Sequence, residues 1–131
     1  MKKAISTDLT QTNITSVLSI LTEMPQKLEQ LLSELSSEQR NRPLAEGERT
    51  FTEVLAHLIN CEERNSETIY LALLRDEPLV PDLHAERDWG KLLRHDLFES
   101  SDLIDYFKLR RMVVTACPQD AHRGAVGACD T

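Results

Sequence analysis

"TFTEVLAHLINCEERN", residues 50–65, is the stretch on which the fold turns. Thr50 with Glu53 three residues on reads as a capping box. The hydroxyl accepts from the Glu53 amide while the carboxylate reaches back to the Thr50 amide. A helix therefore begins at Thr50, and Val54, Leu58, Cys61, Asn65, Thr68, Ile69 and Ala72 lie along one side of it. It runs to about Leu74, where "RDEPLVP" stops it with two prolines. His57 stands inside this pattern. At 100° per residue, Cys61, Arg64 and Glu53 fall within about 40° of it and Val54 and Leu58 about 60–100° away. The imidazole thus sits at the edge of the apolar stripe, facing partly inward.

Upstream, Ile14, Val17, Leu18, Leu21, Leu28, Leu31, Leu32 and Leu35 step by threes, fours and sevens, one stripe of a helix over about 13–35. Pro25 interrupts the hydrogen-bond ladder, yet the stripe keeps phase across it, so one helix kinked near Met24 is expected. Residues 36–49 lose the period and contain Pro43 and Gly47, a connection. Downstream, residues 78–98 read as a long ordered crossover with a helical turn between Lys91 and Leu97. A third helix follows over about 100–115, capped by Ser100 or Ser101, with Leu103, Ile104, Phe107 and Val114 inward. Asp102 and Asp105 early, and Arg110 and Arg111 late, suit its macrodipole.

No strand emerges, so the expected class is all-α. Three apolar stripes and a crossover make most of an up-and-down four-helix bundle, over residues 1–115. Residues 116–131, "ACPQDAHRGAVGACDT", have no period and form an irregular tail in which the last helix is missing or unrecognisable. A bundle short of one helix leaves an apolar trough, which implies self-association into a homo-oligomer or marginal stability.

The chain has 131 residues, enough for one domain, with 15 Lys and Arg against 22 Asp and Glu for a net charge of −7. That sign excludes a broad nucleic-acid surface, which needs clustered positive charge, and disfavours docking to anionic lipid. Lys108, Arg110 and Arg111 read as a solvated face. No apolar run approaches the ~20 residues of a membrane span, and the lysines at the start precede no apolar stretch of a signal peptide. Cys61, Cys117 and Cys129 are odd in number and unrelated in spacing, so reduced thiols and a cytoplasmic location are expected.

Among candidate site residues His57 leads, as a structural histidine with a partner, a metal ligand or a general base. His84 and His95 flank Trp89 at no ligand spacing, and His122 lies exposed in the tail. Cys61 is one turn from His57, which permits a Cys–His pair, although packing as a small hydrophobe also accounts for it. Glu62 and Glu63 turn away from His57 and read as solvated.

The 50–65 stretch resembles the second-helix motif of the DinB-like superfamily, in which a capping Ser or Thr precedes Glu-(aliphatic)-Leu-x-His-Leu, an acidic residue and an Arg. Thr50, Glu53, Leu55, His57, Leu58, Glu63 and Arg64 match as they stand. "LTEMPQKLEQLLSEL", with its mid-helix proline, is similar to the family's first helix, and residues 73–111 to its crossover and third helix. The resemblance implies a divalent-metal site, zinc or nickel, made by three histidines. His57 corresponds to the first, and the others come from an H-x-x-x-H on the last helix. It further implies a transferase or isomerase acting with a low-molecular-weight thiol. Here "MVVTACPQDAHRGAVGACDT" stands where that helix is expected and carries His122 alone, with no histidine four residues away. The expectation is a truncated or frame-shifted tail and an incomplete metal site. The alternative is a non-catalytic helical protein, a remnant that lost the site.

Overall fold

A computed structural model describes residues 8–117. Its helices are α1 (Gln11–Glu34), α2 (Ser37–Arg40), α3 (Phe51–Leu74), α4 (Lys91–Leu93) and α5 (Ser100–Ala116). A π-helical turn at Ala85–Gly90 and a 3-10 turn at His95–Leu97 complete the crossover. The described residues contain no strand, and the all-α bundle class holds. None of the described helices is long and apolar enough to cross a membrane. The tail expected to lack a helix lies, with His122 and Cys129, outside the described residues except for Ala116 and Cys117.

The three long helices fall within two residues of their predicted ends. α5 lies against both α1 and α3. The core between them is Leu32, Phe51, Leu55, Ile59, Leu103, Ile104 and Phe107, with Leu28 and Leu35 packed against it. Full burial of one such side chain stabilises by about 1.5–3 kcal/mol. α1 continues unbroken through Pro25 for a local reason. Proline has no N–H, so the carbonyl four residues earlier, that of Leu21, loses its helical donor. Arg111 Nη1 of α5 donates to that carbonyl at 2.7 Å instead.

The predicted inner face of α3 is out of phase. Its buried residues are Phe51, Thr52, Leu55, Ala56, Ile59, Asn60, Glu62, Glu63 and Ser66. Five of these nine are polar, so a hydrophobicity stripe points away from them. Leu58, Cys61 and Asn65 instead wall a hollow of about 250 Å³ shared with Ile20, Leu21 and Met24 of α1. Ile20 remains 51% exposed there.

Glu62 and Glu63, expected in solvent, are buried because α5 brings cations to them. Arg111 grips Glu62 with two bonds of 2.9 Å. Arg110 pairs with Glu63 at 2.8 Å. The supposed solvated face of α5 is therefore partly an internal ion-pair layer. Glu63 also accepts from the Tyr106 hydroxyl and stands 3.7 Å from His95 Nε2. Burial, then the bond to Glu63, push the Tyr106 phenol up to about 12.

Two predicted caps change in detail. Thr50 Oγ1 accepts from the Glu53 amide at 3.1 Å, but the Glu53 carboxylate meets the Thr50 hydroxyl instead of the amide. Glu99, not a serine, is the residue preceding α5, and it makes no side-chain cap bond. Ser100 is buried and bonds Thr52 at 2.7 Å, joining the starts of α3 and α5. The 36–49 connection contains α2, whose Ser36 and Gln39 form a complete capping box.

His95 is only 12% exposed at its side chain. Desolvation lowers its pKa, against the opposing pull of Glu63. A lowered histidine pKa means the folded state resists protonation. This contribution is fully present above the unfolded value of about 6.5 and is lost as pH falls through the folded value. Melting temperature is therefore expected to fall on acidification below about pH 6.5, and less steeply in His95→Asn. Thermal melts across that range check it, and equal slopes in the two proteins would refute it.

Candidate functional site

The site is assembled by α3 and the crossover. His84 opens the Ala85–Gly90 turn: its Nδ1 accepts from the Glu86 and Arg87 amides at 3.2 and 3.3 Å. The Asp88 carboxylate in turn accepts from the His84 amide at 2.6 Å. That backbone bond also holds the Asp88 carboxyl below its usual range. Arg64 Nε then ties the preceding Leu83 carbonyl to α3 at 2.6 Å. So His84 is a cap and Arg64 a clasp. Together they set the turn that carries Glu86.

Glu86 hydrogen-bonds Nδ1 of His57. This bond, more than any other influence, holds the Glu86 carboxyl below its ordinary pKa. An ionised carboxylate can only accept, so Nδ1 carries the proton. In the neutral ring Nε2 is then a lone pair, and Cys61 Sγ lies 3.7 Å from it. Burial, then the Glu86 charge, push the Cys61 thiol up, so it approaches Nε2 as S–H. Cys61 is a hydrogen-bonding neighbour of His57 as well as a packing residue.

His57 is 36% exposed at its side chain and lines a cleft of about 550 Å³. The cleft lies on the crossover side of α3. Its walls are α3 and the crossover, through Asn60, Glu86, Gly90, Lys91 and Arg94, with Arg49 and Glu53 at the rim. α1 and α5 border the separate hollow beside Cys61. This placement follows from the Ala85–Gly90 turn packing on α3, where Gly90 leaves room for Asn60. A Cβ at Gly90 would stand 3.0 Å from Asn60 Nδ2.

Glu86, Asn60, Arg49 and Lys91 were missed from the sequence. Only "HAERD" carried a hint, a potential cap at His84 followed by acids, and it lay in a stretch without period. The structure does not bring His84 or His95 to His57: His84 serves as a cap and His95 serves Glu63. His122 lies outside the described residues. No group of three His, Cys, Asp or Glu side chains able to hold a metal occurs among the described residues.

No curated protein matches the chain. Among solved structures it is similar to YfiT from Bacillus subtilis, a probable metal-dependent hydrolase with an unusual four-helix bundle topology. The TM-score is 0.73 at 18% identity, covering 88% of this chain and 65% of the other. The likeness is one of fold, and this chain spans about two thirds of that protein's length. A model of the DinB superfamily matches residues 20–124, which include α3, the crossover and α5. The chain belongs to the DinB superfamily.

Proposed function

We propose that the chain is a scaffold for DinB-like, metal-dependent thiol transfer, with His57 as one ligand position of a divalent-metal site and a low-molecular-weight thiol as substrate. One observation carries the reading: the Glu86 carboxylate on Nδ1 of His57. Metal-ligating histidines characteristically donate their second nitrogen to such a group, which fixes the tautomer and makes Nε2 more basic.

The donor set does not by itself complete a site. Catalytic zinc needs three protein ligands, and the described residues assemble no such group. What the chain's own residues do is narrower. Glu86 orients the ring, Nε2 stands ready to take a proton, and the cleft admits a small molecule to the Glu86 side.

A second reading, a non-catalytic helical protein, draws on the same missing ligands. Equilibrium dialysis against zinc or nickel, followed by elemental analysis, separates the two. The enzymatic reading expects about one equivalent retained by the native chain and lost in His57→Ala. Retention by neither protein, or equally by both, would refute His57 as a ligand and leave the non-catalytic reading.

A further inference from the structure

The His57 cleft contains groups that the His57–Glu86 pair leaves unused. Asn60 is 4% exposed. Its amide stands beside Glu86, and its Oδ1 is buried with no hydrogen-bond partner. Asn60 lines the cleft, and its Oδ1 is a buried acceptor left without a donor in the cleft wall. Arg49 and Lys91 line the same cleft without an ion pair or side-chain hydrogen bond among the described residues. The third cation, Arg94, is engaged by Asp96 through two bonds of 2.9 Å.

These charges select a ligand class. The lining has three cations (Arg49, Lys91, Arg94) and three carboxylates (Glu53, Glu86, Asp96). A plain anion would meet Glu53 and Glu86, and a plain cation would meet Arg49 and Lys91. A molecule carrying both signs satisfies each. We propose that the cleft binds an α-amino-acid unit, its carboxylate at Arg49 and Lys91 and its ammonium beside Glu86 and Asn60. The unit is either a free amino acid or the amino-acid end of a small thiol. The proposal rests on the preceding reading only in treating this cleft as the site.

Titration of the isotope-labelled full chain, without added metal, tests it by backbone and side-chain amide shifts. L-serine and L-cysteine are expected to shift the Asn60, Gly90 and Lys91 amides saturably. L-serinamide and N-acetyl-L-serine, each lacking one charge, should bind at least about tenfold more weakly, a loss of about 1.4 kcal/mol. Arg49→Ala and Lys91→Ala, both at exposed positions, should each weaken L-serine by about two- to fivefold, as exposed ion pairs do. Gly90→Ala, which presses on Asn60, should weaken it as well.

Tighter binding of L-cysteine than L-serine with both saturable would assign the unit to a thiol source, and equal binding to a free amino acid. Binding of L-cysteine alone would overturn the proposal, since the thiol would then be the recognised group. Shifts absent from the cleft, or equal affinity for N-acetyl-L-serine, would also overturn it. No metal takes part in the titration, so a failed metal-retention experiment leaves this result standing, and the reverse holds too.

Discussion

Arg111→Met is expected to lower stability by about 3–5 kcal/mol, the usual cost of removing one partner from a buried ion pair. For a chain of this size that corresponds to a melting temperature roughly 10–20 °C lower. Arg111 and Glu62 are each 11% exposed at the side chain, so the carboxylate left behind has little water to turn to. The substitution also removes the donor to the Leu21 carbonyl and the guanidinium over the Phe107 ring, 4.8 Å from its centroid. The proline supplies an internal control. Pro25→Ala restores the amide that the Leu21 carbonyl lacks, so Arg111→Met should cost about 1 kcal/mol less in that background. Urea or thermal melts of the four proteins measure the coupling. Identical losses in both backgrounds would mean that Arg111 acts through Glu62 alone.

Glu63→Ala is the second large loss, again about 3–5 kcal/mol. Glu63 is the shared partner of Arg110 and Tyr106 and faces His95. Its removal leaves a guanidinium that is 24% exposed without its carboxylate. His95 belongs to the same crossover that carries Lys91 and Arg94 to the cleft, and its 3-10 turn packs on α3. The variant should therefore loosen the cleft along with the fold. Amide exchange in residues 85–97 should rise in Glu63→Ala beyond what an equally destabilising core variant, such as Ile59→Ala, produces. Equal protection at matched stability would show that Glu63 supports only the core.

The three long helices were legible because stripes, a Thr cap and flanking prolines act locally. The inner face of α3 was not. Thr52, Asn60, Glu62, Glu63 and Ser66 are buried, and burial of a polar side chain depends on a partner that may be half the chain away. Arg111 stands 49 positions from Glu62, and Glu86 stands 29 from His57. No periodicity joins such pairs. His57 itself was legible from its place in the motif, and the structure adds the carboxylate that orients it. The cleft depended on the crossover, where a π-helical turn capped by His84 leaves no repeating pattern to read.

Glu86 holds the proton of His57 at Nδ1 and leaves the Nε2 lone pair for chemistry. Long-range ¹⁵N–¹H correlation spectra of the neutral His57 ring test it most directly. An Nδ1-protonated ring is expected in the native chain, a preference that weakens in Glu86→Ala. A neutral ring protonated at Nε2 in the native chain would contradict it, because a lone pair would then face the carboxylate and the nitrogen offered for chemistry would be blocked.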